Sequence, residues 1–314
     1  MRLRVLPISA VLTLSPLLAP AQPATRDTTN YRVIDMHMHI YTTDPRWDRR
    51  MPNPVTGAPL SAATEHEQRL AVLEQMQKHN VVLAVVSTPS KPAAPLHARW
   101  MAAAPRKFIP AVAFDAPDEI TPQAIRAQHA AGRIKVIGEI GAPYAGYSAG
   151  DKLYEPFFVL AEQLDIPIAV HVGSAGGAAT YNGYPKYRME LNRPLLMEDM
   201  LARHPRARVQ IMHAGWPFTD ETVALMKGHP QVYVDIGVIS WTQPRAEFYA
   251  FLSRLTGAGL SKRIMFGSDQ MVWAETIGMA IENVKAAPFL SREQKADILC
   301  RNAARFLRLK PSPC

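Results

Sequence analysis

The sequence predicts a single α/β domain folded as a closed (β/α)8 barrel, the TIM-like arrangement. Eight short segments rich in Val, Ile and Ala are apolar on both faces, as buried parallel strands are. Helical patterns lie between them, and 314 residues suit one barrel. No glycine-rich phosphate turn follows the first segment, which argues against a doubly wound open sheet.

The first 21 residues have the plan of a secretory signal peptide. Arg2 and Arg4 precede an apolar run, and Ala19-Pro20-Ala21 supplies small residues at the spacing that signal peptidase requires. The run is too short to cross about 30 Å of hydrocarbon, so we expect no stable membrane anchor. We therefore expect cleavage near Ala21, export to the periplasm or the medium, a polar tether over 22–30 and the barrel over 31–314.

The predicted strands and helices alternate along the rest of the chain. The strands are predicted at 33–40, 81–87, 108–114, 134–140, 166–172, 209–213, 232–236 and 264–267. Helical patterns are clearest at 63–78, 153–164, 194–204 and 221–227. Pro194 and Pro217 can each begin a helix, because the N–H that proline lacks has no intrahelical partner there.

Charge and cysteine content narrow the class of partner. Removing Arg2 and Arg4 leaves 33 Lys and Arg against 27 Asp and Glu, a formal charge of +6. This mild excess contains no basic tract, so we expect a small-molecule substrate and no nucleic acid. The two cysteines, Cys300 and Cys314, do not form a disulfide framework, although one bridge can form in an oxidising compartment.

The first strand ends in the pattern Asp35-Met36-His37-Met38-His39. Strict alternation would place Asp35, His37 and His39 on one face and the two methionines on the other. Two imidazoles one strand period apart can hold one metal ion. Asp35 lies two residues deeper, so we interpret it as an acceptor for an imidazole N–H and not as a ligand.

Further polar residues follow other predicted strands at the end where a barrel carries its active site. The predicted metal ligands are His37, His39, Glu139, His171, His213 and Asp269. This nitrogen and oxygen set favours zinc, with manganese, iron or nickel as alternatives, and one or two ions. The other six histidines lie in helical or turn segments, where we expect solvated side chains: His66, His79, His97, His129, His204 and His229.

These motifs resemble the amidohydrolase superfamily, most closely its amidohydrolase-related branch, which includes decarboxylases of the aminocarboxymuconate-semialdehyde type. The segment from Arg301 to Phe306 resembles the C-terminal signature of that branch, and the resemblance runs from Val33 to Leu309. It implies that His37, His39 and His171 bind metal and that Asp269 binds metal and shuttles a proton. His213 is then either a catalytic base or electrophile, or a ligand to a second ion.

The fourth strand leaves the number of metal ions open. Binuclear relatives often carry a carboxylated lysine there, but Lys135 lies about 13 Å below the strand end, four residues at about 3.3 Å each. Glu139 resembles the glutamate of the TatD-like nucleases, which can bridge two metal ions. Alternatively, it orients His171 or His213 without binding metal.

Loops after the strands suggest contacts to a substrate that bears a carboxylate or an aromatic ring. The candidates are Arg46, Tyr184, Arg188, Trp216 and Trp241. The alternative interpretation of each is a solvated loop residue or a packing aromatic residue that does not contact substrate. We expect hydrolysis of a C–N or C–O bond, in an amide, ester or lactone, by metal-activated water.

The alternatives to hydrolysis come from the same resemblance and from other classes. The first is metal-dependent, non-oxidative decarboxylation of an aromatic or muconate-like acid. A further alternative is a catalytically silent binding protein, but the presence of Asp269 argues against it. Another is a nuclease, and the lack of basic tracts argues against that. Homodimers are frequent in the branch, so a homodimer is also expected.

Overall fold

The computed structural model describes residues 27–42, 44, 51–89, 91–174 and 177–314. The predicted signal peptide, residues 22–26 of the predicted tether and Arg46 lie outside these ranges. The predicted barrel is confirmed, since eight strands form one sheet in chain order and every neighbouring pair is parallel. The N–H of Met36 donates to the carbonyl of Phe266 at 2.9 Å, which joins the first strand to the chain after the eighth.

The strands are short and buried on both faces. They are β1 Val33–His39, β2 Val81–Ser87, β3 Phe108–Phe114, β4 Val136–Ile140, β5 Ile168–His171, β6 Val209–Met212, β7 Val232–Asp235 and β8 Ile264–Met265. Several predicted strands were too long at their ends. The N–H of Ile166, for example, donates to Ala161 at the end of the preceding helix and so takes no part in β5.

Helices occupy the connections between the strands. They are α1 Glu65–Lys78, α2 Ala93–Ala103, α3 Pro122–Ala130, α4 Ala142–Ala145, α5 Glu155–Leu164, α6 Glu198–Arg203, α7 Thr219–Gly228, α8 Ile239–Thr242, α9 Arg245–Gly257, α10 Thr276–Lys285, α11 Arg292–Ala296 and α12 Asn302–Phe306, with a π-helical turn at Asp297–Arg301. No helix in the described part of the chain is long and apolar enough to span a membrane.

Two helix starts differ from the prediction. Pro194 begins a 3₁₀ turn, Pro194–Met197, and α6 follows it, so the predicted helix over 194–204 is divided. Pro217 lies two residues before α7 and does not begin it. The N–H of Thr219 donates to the carbonyl of Pro217 itself, which forms a turn before the helix starts.

Apolar side chains pack in two layers. An inner cluster fills the barrel and includes Ile34, Met36, Val85, Ala111, Val136, Ala169, Met212 and Met265. A larger outer cluster packs the strands against the surrounding helices. Small residues such as Ala111 and Ala169 share the interior with larger side chains, as the packed core of such a barrel requires. The sequence-predicted core strands are thus buried on both faces.

The strict alternation predicted for β1 was wrong. The pairing of β1 with β2 shifts register between Asp35 and Met38, where a bulge adds one residue to β1. Met36 therefore packs in the inner cluster, although alternation placed it opposite His37. His37 and His39 still come together at the top of the strand, where their Nε2 atoms lie 3.2 Å apart.

Both ends of the part of the chain that the structure describes are held against the barrel. Cys300 and Cys314 form a disulfide that ties the C-terminal residues to the π-helical turn. Near the other end, Asp27 accepts hydrogen bonds from the hydroxyl of Tyr31 at 3.0 Å and from Lys295 Nζ at 3.2 Å. The last part of the predicted tether is therefore held by side-chain contacts.

Two of the six histidines predicted to be solvated are buried. His97 on α2 is 7% exposed, and His204 after α6 is 6% exposed. His204 lies 3.2 Å from a carboxylate oxygen of Glu162 and packs on Phe158. The expectation of solvated side chains was wrong at these two positions, because the helix face that packs on a neighbour can carry an imidazole.

Candidate metal centre

Six predicted ligands from five strands meet at the C-terminal end of the barrel. His37 and His39 lie at the end of β1, Glu139 is the second-last residue of β4, and His171 is the last residue of β5. His213 follows β6 and Asp269 follows β8. All four histidines are buried, at 9% exposure or less, and Glu139 is the most accessible of the six.

One group of these side chains surrounds Nε2 of His37 and His39. Those two atoms are 3.2 Å apart. Glu139 Oε2 lies 3.5 Å from Nε2 of His37 and 3.2 Å from Nε2 of His39. Asp269 Oδ1 lies 3.6 Å and 3.2 Å from the same two nitrogens. Four potential ligand atoms therefore converge on one point.

A second group surrounds the other oxygen of Glu139. Glu139 Oε1 lies 2.7 Å from His171 Nδ1 and 3.8 Å from His213 Nε2. The two imidazole nitrogens are 3.1 Å apart. The carboxylate of Glu139 thus belongs to both groups, with one oxygen in each.

The donor set fits divalent metal. Bonds of about 2.0–2.1 Å in a tetrahedral site separate the ligand atoms by about 3.3 Å, and the contacts around His37 and His39 scatter about that value. Asp269 Oδ1 is buried and makes no hydrogen bond, as expected of an atom whose partner is a metal ion. Three sets of three side chains have ligand atoms close enough to hold an ion, and each set includes His37 or His213.

The electrostatics of the group also favour a cation. Burial alone would lower the pKa of His37, but Asp269 and Asp235 outweigh it and raise that pKa to about 10. Burial alone would raise the pKa of Glu139, but contacts with His171 and His213 hold it well below its usual range. The carboxylate of Glu139 is therefore anionic, and positive charge beside it is stabilised.

Asp235 is a residue of the centre that the sequence prediction missed. It ends β7, its Oδ1 lies 3.3 Å from Nδ1 of His37, and the same oxygen accepts the N–H of Gly237 at 2.7 Å. Gln210 Nε2 donates to its other oxygen at 2.7 Å. An aspartate at the end of the seventh predicted strand was the available signal, by the same argument that identified Asp269.

Asp35 accepts hydrogen bonds, but not from an imidazole as predicted. Its Oδ1 accepts the backbone N–H of His37 at 3.0 Å and of Ser268 at 2.9 Å, and no imidazole. Asp35 therefore ties β1 to the chain after β8. Asp235 contacts the imidazole of His37 instead.

Two of the predicted ligands have backbones in the left-handed region. His213 has φ of 57° and Asp269 has φ of 49°, values that residues with a side chain seldom adopt. The N–H of Asp269 donates to the carbonyl of His37 at 2.7 Å, which helps to fix this conformation. Such strain persists where the surroundings determine it, commonly at functional sites.

The predicted substrate contacts are dispersed around the barrel mouth. Tyr184 is 41% exposed, and Trp216 is half-buried after β6. Arg188 is exposed, and its guanidinium donates to the carbonyls of Pro185 and Tyr187, which holds it on its own loop. Trp241 is 2% exposed and its indole N–H donates to the carbonyl of Ser268 at 2.8 Å, so it packs in the core.

Tyr144 lies beside the centre and was also missed by the sequence prediction. It is on α4, directly after β4, and its ring centroid is 4.8 Å from that of His171. Burial, followed by the charges of Glu139 and Asp269, raises the pKa of Tyr144 well above its usual value. Its hydroxyl is therefore neutral and within electrostatic range of both carboxylates.

Comparison with known proteins agrees with this geometry. Residues 34–309 match the protein family described as Amidohydrolase (Amidohydro_2). No curated protein matches the chain. Solved structures that share the fold include the following three, each less than 20% identical to the chain.

The first is an uncharacterised TIM-barrel protein from Bordetella bronchiseptica, with 17% identity, 88% of this chain and 98% of that chain covered, and a TM-score of 0.65. The second is a probable 2-pyrone-4,6-dicarboxylic acid hydrolase from Acinetobacter baumannii, with 14% identity, 88% and 100% covered, and a TM-score of 0.62. The third is a 5-carboxyvanillate decarboxylase from Novosphingobium aromaticivorans complexed with manganese, with 15% identity, 89% and 97% covered, and a TM-score of 0.58.

Proposed function

The chain belongs to the amidohydrolase family, and we propose that this metal-dependent enzyme hydrolyses a C–N or C–O bond of a small organic substrate. An amide, ester or lactone would be the bond class. The observation that carries the proposal is the position of Glu139, whose Oε2 faces His37 and His39 while its Oε1 faces His171 and His213. This arrangement suits a carboxylate that bridges two ions.

The ions would be held by two sets of side chains. His37, His39 and Asp269 would hold one, His171 and His213 the other, and Glu139 both. Zinc suits these ligands best, with manganese, iron or nickel as alternatives. When bound, such ions supply Lewis acidity and lower the pKa of a water molecule at the site.

The protein's own groups would position the ions and move the proton. Asp235 fixes the ring of His37, and Ser87 Oγ contacts Nδ1 of His39 at 3.2 Å. Asp269 would take the proton from the attacking water and pass it to the leaving nitrogen or oxygen, because its Oδ1 lies 3.6 Å from Nε2 of His37 and 3.2 Å from Nε2 of His39. Nδ1 of His213 lies 3.8 Å from Oδ2 of Asp269, so His213 would support the same proton transfer.

Decarboxylation is the competing reaction. The solved structures with this fold include a hydrolase and a decarboxylase by their printed names, so the fold alone does not separate the two reactions. The position of Glu139 favours hydrolysis, because a pair of ions serves to activate water and polarise a carbonyl together. Loss of carbon dioxide from an acid requires no attacking water.

Metal stoichiometry and product analysis test the proposal. Plasma mass spectrometry should find two equivalents of metal in the parent protein and at most one in Glu139→Gln. Hydrolysis of a panel of esters, amides and lactones should fall at least 100-fold in the same variant. Glu190→Gln is the matched control, because Glu190 is 74% exposed and outside the centre. One equivalent in the parent, with carbon dioxide released from an aromatic acid, would refute hydrolysis.

We also propose that the protein acts outside the cytoplasm. The Cys300–Cys314 disulfide supports this, because such bonds persist mainly in oxidising compartments. Mass spectrometry of exported protein should find a chain that begins near Gln22, and an intact Met1 would contradict cleavage. A homodimer is part of the same proposal, and light scattering on the mature protein would test it.

A further inference from the structure

A cluster of three tyrosines from two loops lies beside His171. Tyr144 follows β4, and Tyr184 and Tyr187 belong to the long connection after β5. The ring centroid of Tyr144 lies 4.5 Å from that of Tyr184 and 5.6 Å from that of Tyr187. Because Tyr144 also contacts His171 at 4.8 Å, the tyrosine cluster adjoins the metal centre directly.

The position of Tyr144 is fixed by close packing. A Cβ added at Gly141 would lie 2.1 Å from Asp115 Oδ1 and 2.9 Å from Cδ2 of Tyr144, so only glycine admits the ring there. A Cβ at Gly146 would lie 3.0 Å from Cβ of Lys186, which shows that the loop after β4 touches the loop that carries Tyr184 and Tyr187. The cluster is therefore a preformed surface.

The hydroxyl of Tyr144 differs from that of its neighbour. Tyr187 is 5% exposed, and its hydroxyl donates to the carbonyl of Gly173 at 3.3 Å. Within the described ranges, the hydroxyl of Tyr144 makes no hydrogen bond, although its ring is half-buried. A phenol in such a place normally finds a partner. A ligand that enters the barrel mouth would provide one.

We propose that Tyr144 is a specificity-determining residue that contacts the substrate, with its ring packed on a planar, conjugated group and its hydroxyl donating to a substrate oxygen. Tyr184 would complete the surface on the solvent side, since its side chain is 41% exposed. The inference rests on the proposed function only in that it places the reacting group at the same metal centre.

Binding of two matched acids to the metal-loaded protein tests the role of the ring. Benzoate and cyclohexanecarboxylate carry the same charge, but only benzoate is planar. Isothermal titration calorimetry should give threefold to tenfold tighter binding of benzoate, the range expected for one aromatic contact. In Tyr144→Leu the two affinities should agree within about twofold, because the aromatic face is lost.

Tyr144→Phe tests the hydroxyl separately. This variant should keep the preference for benzoate, and it should bind both acids about fivefold more weakly because one hydrogen bond is lost. Tyr181→Leu is the control, since Tyr181 lies on the loop that carries Tyr184 and Tyr187, is 88% exposed and should leave both affinities unchanged. An equal affinity for the two acids in the parent, or a benzoate preference that survives in Tyr144→Leu, would overturn the proposal.

Folding and catalysis can be separated from this result. Circular dichroism and metal content show whether Tyr144→Leu remains folded and loaded. If it does not, Tyr184→Leu replaces it and should also reduce the preference for benzoate, whereas an unchanged preference would count against the cluster. The binding experiment requires no turnover. A benzoate preference in a protein that hydrolyses no ester, amide or lactone would therefore refute the proposed function and leave this inference standing.

Discussion

Asp235 holds the imidazole of His37, with 3.3 Å between Oδ1 of the carboxylate and Nδ1 of the ring. Because Nδ1 donates to Asp235, the lone pair of Nε2 is left for a metal ion. The carboxylate is fully buried, and Gln210 and Gly237 donate to it, so it cannot turn away from the ring. The orientation of one ligand on β1 is thus set from β7.

Asp235→Asn should weaken metal binding without unfolding the barrel. The amide has nearly the shape of the carboxylate but lacks its charge, so it orients the ring of His37 less firmly. We expect a 10-fold to 100-fold loss of metal affinity, the range found when such partners of metal-binding histidines are removed. Competition with a fluorescent chelator measures the affinity. An unchanged affinity would show that the charge of Asp235 does not orient His37 for metal binding.

Removal of metal should lower thermal stability. A metal ion that binds only the folded state at 100 to 1,000 times its Kd stabilises that state by ~3–4 kcal/mol. Treatment with EDTA should therefore lower the Tm of the parent by several degrees, and added zinc should restore it. His37→Ala should show a much smaller response. If the parent does not respond, the six side chains do not form a metal centre.

Gly138→Ala should be among the most destabilising small substitutions. Gly138 has φ of +144°, and an added Cβ would lie 2.5 Å from the carbonyl oxygen of Ala169 on the neighbouring strand. We expect a loss of ~3 kcal/mol or more in the free energy of unfolding from strain and overpacking together. Metal content should fall as well, because Glu139 is the next residue. Gly228→Ala, where a Cβ meets nothing within 4 Å, should change the free energy by at most ~1 kcal/mol.

Stability should fall as pH is lowered from 6.5 to 4, in part because of His97. Burial lowers the pKa of His97 to about 4 in the folded protein. The unfolded chain therefore binds this proton first, and stability declines as pH falls through that interval and levels off below it. The difference between pKa 6.5 and about 4 corresponds to ~3 kcal/mol. Urea titrations at several pH values should give a shallower decline for His97→Gln, and parallel curves would contradict this assignment.

Loss of the disulfide should destabilise the C-terminal end of the chain. Cys300 and Cys314 are 14 residues apart, and a closed loop of that size contributes ~3 kcal/mol in the chain-entropy description. Cys314→Ser should therefore lower the free energy of unfolding by ~1–3 kcal/mol. Reductant should lower the Tm of the parent and leave that of Cys314→Ser unchanged. Equal responses of the two proteins would show that the bond does not form.

The sequence was sufficient to predict the eight strands, because each is a short apolar segment bounded by turns. It also placed all six ligand side chains at one end of the barrel, because parallel strands deliver their C-terminal ends to the same rim. Strand ends were less accurate, as at β5, since hydrogen bonding and not hydrophobicity decides where pairing stops.

Only the tertiary structure decided which of these side chains contact one another at the C-terminal end of the barrel. Asp35 accepts two backbone N–H groups and not an imidazole, while Asp235 on β7 contacts the ring of His37, and no local pattern encodes either contact. The sequence left two roles open for Glu139, and only the tertiary structure shows that its two oxygens face different histidines. The physical reason is that residue type and strand period are local properties, whereas these contacts join residues that lie between 32 and 198 positions apart along the chain.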